Sequence, residues 1–129
     1  MPSHRTEVSI RLQGDADLKQ AIVIGVLRHR PAIAFQGSET APLAGLDDRK
    51  VLDLCEQQER VLVSHDVTTM ESTFRAFIRT QKSPGVVLIP QTRVSIGQAV
   101  ECLVLLWEVV SPEEIENRVC LVPSLVIYC

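Results

Sequence analysis

Three aspartates stand where a chain of alternating strands and helices tends to gather its functional groups. Asp15 follows an alternating apolar run, Asp66 follows the compact apolar run 61–64, and Asp48 opens a stretch of helical periodicity. Carboxylates that share a cleft repel one another, and they all stay ionised only when a cation neutralises them. Mg²⁺ or Mn²⁺ suits such an all-oxygen site, keeps several waters, and can activate one to attack a phosphodiester. Asp15, Asp48 and Asp66 are therefore the candidate catalytic and metal-binding residues. Each has a plainer role to set against this one, since Asp at a helix start is commonly a cap and Asp after a strand a turn residue.

The surrounding elements decide whether these residues meet. Val8, Ile10 and Leu12 alternate with Ser9 and Arg11, which predicts a first strand over 8–12 with one wetter face. Asp15 and Asp17 open a helix to about residue 30, and 32–35 forms a second strand. A loop through Gly37, Pro42 and Gly45 leads to a helix starting at Asp47 and Asp48, with Val51, Leu52 and Cys55 at helical spacing. Residues 61–64 read as a buried strand, 71–82 as a third helix stopped by Pro84-Gly85, and 86–89 as a fourth strand. Ser95 caps a long helix over 96–110, apolar almost all round except for Gln98, Glu101 and Glu108. Ser111-Pro112-Glu113-Glu114 is a further helix start, and a last strand covers 118–122.

Strands and helices in alternation with short connections predict one α/β domain over 1–129, doubly wound, with a mainly parallel five-stranded sheet and helices on both faces. The strand order 2-1-3-4-5 fits, with its switch point between strands one and three. Ligands in such sheets bind outside the carboxyl ends of the strands, which is where Asp15 and Asp66 fall. The distance of Asp48 from the other two is left open, because its helix runs back across the sheet.

Composition removes several function classes. Apolar residues make up 46% and charged residues 22%, the profile of a globular domain. Thirteen Lys and Arg stand against sixteen Asp and Glu, so nucleic-acid binding would need a local basic patch. No apolar run is long enough to span a membrane, and the start Met1-Pro2-Ser3-His4-Arg5 lacks the apolar stretch of a signal peptide. Cys55, Cys102, Cys120 and Cys129 show no C-x-x-C pairing and read as reduced thiols, mostly among apolar neighbours. These features predict a cytoplasmic protein without a disulfide framework or zinc site.

Four segments together carry a resemblance: Ile10-Arg11-Leu12 through Asp15, Leu46-Asp47-Asp48 through Leu54, Arg60-Val61-Leu62-Val63-Ser64-His65-Asp66, and Pro84-Gly85-Val86-Val87. In this order the chain resembles the PIN-like family from about residue 8 to 122, most closely its short members, which are often proposed as toxins of toxin–antitoxin pairs. The resemblance implies a ribonuclease, with Asp15, Asp48 and Asp66 at the acidic positions that bind Mg²⁺ or Mn²⁺, and with a protein antitoxin as partner. Two positions depart from the pattern. Ala16 stands where many short members carry a second acid, and Thr68 where another Asp is frequent. Asp17 and Asp47 are the acids nearest to hand to compensate.

Other residues bear on function more loosely. His65 is a candidate base or neighbour of the metal, or equally a structural histidine, and Thr68 a phosphate ligand or a cap. Arg75, Arg79 and Lys82 fall at i, i+4 and i+7 on the expected third helix and form a candidate RNA-backbone track, against the commoner alternative of a solvated face. The helix 96–110, with Leu103, Leu106 and Trp107, is either enclosed by its own domain or covered in a homodimer, and the apolar tail 125–128 points the same way. Besides the ribonuclease, two other classes fit the layout. One is a binding or regulatory module without turnover. The other is a phospho-accepting receiver domain, which ranks last because Pro90-Gln91, not Lys, follows strand four.

Overall fold

The computed structural model describes residues 9–39 and 43–128. Its strands are β1 (Leu12–Gly14), β2 (Phe35–Gln36), β3 (Val61–Ser64), β4 (Val86–Leu88), β5 (Val119–Leu121) and β6 (Val126–Tyr128). Its helices are α1 (Gln20–His29), α2 (Asp48–Gln58), α3 (Val67–Phe77), α4 (Ile96–Val109) and α5 (Pro112–Ile115). The strands form one sheet in the order β2-β1-β3-β4-β5-β6, parallel throughout except for the antiparallel β5–β6 pair. The expected order 2-1-3-4-5 is present, and the count of five is corrected to six.

Burial on both faces explains the apolar runs of β3 and β4. All four residues of β3 are buried, as are all three of β4. Leu12, Val61, Val63 and Val87 pack on one face with Ile22 and Val26 of α1 and Val100 and Leu103 of α4. Leu62, Val86, Leu88 and Val119 pack on the other with Leu52 of α2 and Phe74 and Phe77 of α3. Gly25 lets α1 and α4 approach closely, since a Cβ there would stand 2.6 Å from a Val100 methyl. Gly85 precedes β4 at φ +116°, and a Cβ on it would collide with the Ile115 carbonyl of α5.

Several expected boundaries move. The first strand lies at 12–14, with Val8 outside the described residues. Arg11 is exposed but Gln13 is 1% exposed, so the wetter face suggested by alternation closes over within two residues. The helix expected from Asp15 begins at Gln20, because Asp15 opens a separate turn in which Leu18 N–H donates to its carbonyl. Helix α3 starts four residues earlier than expected and ends five earlier. Asp66 is its cap, accepting from Thr69 N–H at 3.0 Å, so Thr68 does not play that part.

Helix α4 and its Ser95 capping box appear as expected. Its Ala99, Val100, Leu103, Val104 and Leu106 are buried in the chain's own core, while Leu105 (46%) and Val109 (53%) stay exposed. The apolar tail becomes β6: Ile127 pairs with Cys120 and packs on the α1/α4 side. Tyr128 O–H donates to Glu71 of α3 at 2.7 Å. Cys55 and Cys120 are buried free thiols and Cys102 is half-buried, with Cys129 outside the described residues. Burial pushes the Cys55 thiol up to about 12 and that of Cys120 to about 11, so both stay protonated and unreactive at neutral pH. Among the described residues, no helix is long and apolar enough to cross a membrane.

Candidate functional site

Pairing of β1 with β3 brings the first and third aspartates to one edge. Gly14 lies in register with Val63, and Asp15 N–H donates to the Val63 carbonyl at 2.9 Å, which sets Asp15 beside Ser64. Ser64 ends β3 on the α2/α3 face and is 1% exposed. Its hydroxyl donates to Asp15 Oδ2 at 2.8 Å and accepts from Asp66 N–H at 3.0 Å. One buried hydroxyl thus holds the Asp15 carboxylate and the backbone of Asp66 together. The second oxygen of Asp15 accepts from Ala16 N–H at 2.8 Å.

Asp48 arrives from the other direction, in the first turn of α2. Asp47 caps that helix by accepting from Lys50 N–H at 2.9 Å, which leaves Asp48 as its first residue. Burial raises the pKa of the Asp48 carboxyl above its ordinary value, and Asp66, Asp15 and Asp47 raise it further, in that order. No cation figures among the causes. The sequence left the position of Asp48 open; the fold brings it within the field of both strand-end aspartates.

His65 fastens two loops. Its Nδ1 donates to the Ile89 carbonyl at 3.0 Å, which leaves Nε2 to accept from Lys19 N–H at 3.4 Å. The ring thus spans the β3–α3 loop and the β1–α1 loop, the two that carry Asp66 and Asp15. Asp17 and Thr68 are exposed, with no hydrogen bond from either side chain among the described residues.

The donor set is that of a hard divalent cation, three carboxylates from three elements. Its spacing is open. Among the described residues no three His, Cys, Asp or Glu side chains stand close enough to share one ion. An ion such as Mg²⁺, which keeps several waters, tolerates carboxylates reached through its hydration shell.

The three cations expected to form a track do not share a helix. Arg75 lies in α3, where it pairs with Glu71 at 3.4 Å and stacks over the Tyr128 ring at 5.9 Å. Arg79 and Lys82 lie beyond the end of α3. This helix runs away from Asp66, and Lys82 ends in a cleft of about 470 Å³ at the amino ends of the strands, ion-paired with Glu116. Sequence reasoning missed three other cations. Lys19 follows β1, Lys50 sits in the first turn of α2, and Arg93 follows β4. All three are exposed, and none has an ion pair among the described residues. Their signal was proximity to strand ends, which a search for helical stripes passes over.

Comparison with protein-family models, curated proteins and solved structures finds no match to this chain.

Proposed function

We propose that this protein is a metal-dependent ribonuclease of PIN-like type, hydrolysing RNA phosphodiesters at the carboxyl end of its sheet. The observation that carries the reading is that adjacent parallel strands end in Asp15 and Asp66, both tied to the Ser64 hydroxyl, with Asp48 of α2 near enough for both to add to the upward pKa shift that burial begins. Mutual repulsion of this kind does nothing for folding and suits a site that takes up a cation. Asp15, Asp48 and Asp66 would hold Mg²⁺ or Mn²⁺ in part through its hydration shell, and the ion would offset their charge and supply an activated water. Ser64 orients Asp15, while His65 holds the two strand-end loops at their separation. Lys19, Lys50 and Arg93 flank the same edge and are suited to the backbone phosphates of a single strand. A role as the toxin of a toxin–antitoxin pair belongs to the same proposal. Exposed Leu105 and Val109 on α4 offer an apolar surface to a protein antitoxin or to a second copy in a homodimer.

A second reading, a binding or regulatory module that keeps the fold without turnover, draws on the open spacing of the carboxylates and on Ala16 and Thr68. Cleavage of a labelled single-stranded RNA decides between the two. On the hydrolytic reading it requires Mg²⁺ or Mn²⁺, stops with a chelator, and falls at least roughly 10²-fold in Asp66→Asn. Asn remains a good cap for α3, so this variant keeps its stability. Activity that survives the chelator overturns the mechanism. RNA binding without any cleavage favours the second reading.

A further inference from the structure

Three buried polar side-chain atoms among the described residues have no hydrogen-bond partner: Gln13 Oε1, Gln36 Oε1 and Arg60 Nε. They are not scattered. Gln13 and Gln36 are register partners on the parallel strands β1 and β2, so their side chains leave the same face. Leu12 packs on the α1/α4 side, so alternation turns Gln13 toward α2, the side on which its β3 partner Leu62 packs. Arg60 enters this layer from the start of β3. Its Nη1 donates to the Leu12 carbonyl at 3.1 Å and the Ala34 carbonyl at 3.5 Å, on the residues one and two positions before the two glutamines. Gln13 is 1% exposed and Arg60 9%. The Gln13 Nε2 donates to the Gly14 carbonyl at 2.9 Å, which leaves its amide oxygen as the unpaired end.

The chemistry of the three atoms limits what could satisfy all of them. Two are acceptors that cannot bond to each other, and one is an N–H donor. An anion would face two carbonyl oxygens, and a metal ion would face a guanidinium. A small neutral molecule with two donors and a lone pair satisfies all three, and water is the smallest. We propose that Gln13, Gln36 and Arg60 bind one internal water, which donates to both amide oxygens and accepts from Arg60 Nε–H. Three hydrogen bonds are the usual complement of a buried water. The site is independent of the hydrolytic reading. It forms a polar layer between α2 and the β1/β2 edge, beside the apolar side chains of Leu52, Leu62 and Val86 that pack on the same face.

A crystal structure of the full chain at about 1.2 Å resolution tests this directly. The expected result is one solvent peak within hydrogen-bond distance of all three atoms. An empty site with the Gln36 amide turned so that its nitrogen donates to Gln13 Oε1 would overturn it. In solution, oxygen-17 relaxation dispersion counts long-lived internal waters. Gln36→Leu should hold one fewer than the wild type, and an unchanged count would equally reject the proposal.

Discussion

The two ends of the sheet treat charge in opposite ways. At the carboxyl end, Asp66, Asp15 and Asp47 all add to the upward shift that burial gives the Asp48 carboxyl. At the amino end, the cleft lined by Arg11, Glu56, Glu59, Lys82 and Glu116 mixes signs, and Lys82 pairs with Glu116 at 3.4 Å. The amino end has the 470 Å³ cleft, and the carboxyl end has the unfavourable charge. Like charges drawn from three separate elements work against folding, which is the contrast on which the proposed hydrolytic site at the carboxyl end rests.

The sharpest way to break this comparison is at the hydroxyl that joins the carboxyl-end residues. Ser64→Ala leaves Asp66 N–H without its acceptor and Asp15 Oδ2 without its donor, at a position 1% exposed. We expect a loss of about 1–3 kcal/mol in denaturant unfolding, with a fall in any Mg²⁺-dependent cleavage. A loss below about 0.5 kcal/mol would show that the two residues are held by other means.

That hydroxyl also shows how far the sequence could be read. The strand over 61–64, the capped helix from Ile96 and the order of the first five strands were legible, because burial on both faces leaves long apolar runs and Ser95 carries a capping box. Strand β1 was misplaced because its true residues, Leu12-Gln13-Gly14, contain one apolar side chain, and their burial comes from partners distant in sequence. Strand β6 was missed because three apolar residues become a strand only when β5 lies alongside. Asp66 was read for its charge; it also caps α3, and that second role moved the helix four residues. Of the site, the two strand-end aspartates followed from topology. The approach of Asp48 depended on where α2 crosses the sheet, which no local pattern encodes.

The electrostatic half of the comparison has its own test. The Asp48 carboxyl is raised from 3.8 by burial first, then by Asp66, Asp15 and Asp47. The native state therefore keeps this proton to higher pH than the unfolded chain does. Asp48 then lowers stability progressively as pH rises from 3.8 through the native pKa, and the whole penalty is present above it. Asp48→Asn should remove that slope. Its gain over the wild type should grow across this window, with some offset from the lost charge at the α2 N-terminus. Urea unfolding as a function of pH checks this, and millimolar Mg²⁺ should narrow the gap by stabilising the wild type. A pH-independent gap would mean that the carboxylates do not share a field.

The smallest expected effect lies at the amino end, and it discriminates all the same. The Lys82–Glu116 pair spans 3.4 Å between side chains that are 66% and 41% exposed, so water and salt screen most of its attraction. Lys82→Ala should change unfolding stability by less than about 0.5 kcal/mol, and still less in high salt. A loss above about 1 kcal/mol would make the amino end a coupled charge network and remove the contrast between the two ends. The same variant separates two ways in which RNA could lie on the protein. Strand contacts through Lys19, Lys50 and Arg93 place the backbone at the carboxyl end, so RNA affinity should be unchanged by Lys82→Ala and weakened by Arg93→Ala, with a shallower salt dependence. The reverse pattern in fluorescence anisotropy would put the nucleic acid at the amino-end cleft that Lys82 lines, away from the carboxylates, and the approach of Asp48 to Asp15 and Asp66 would then need a different explanation.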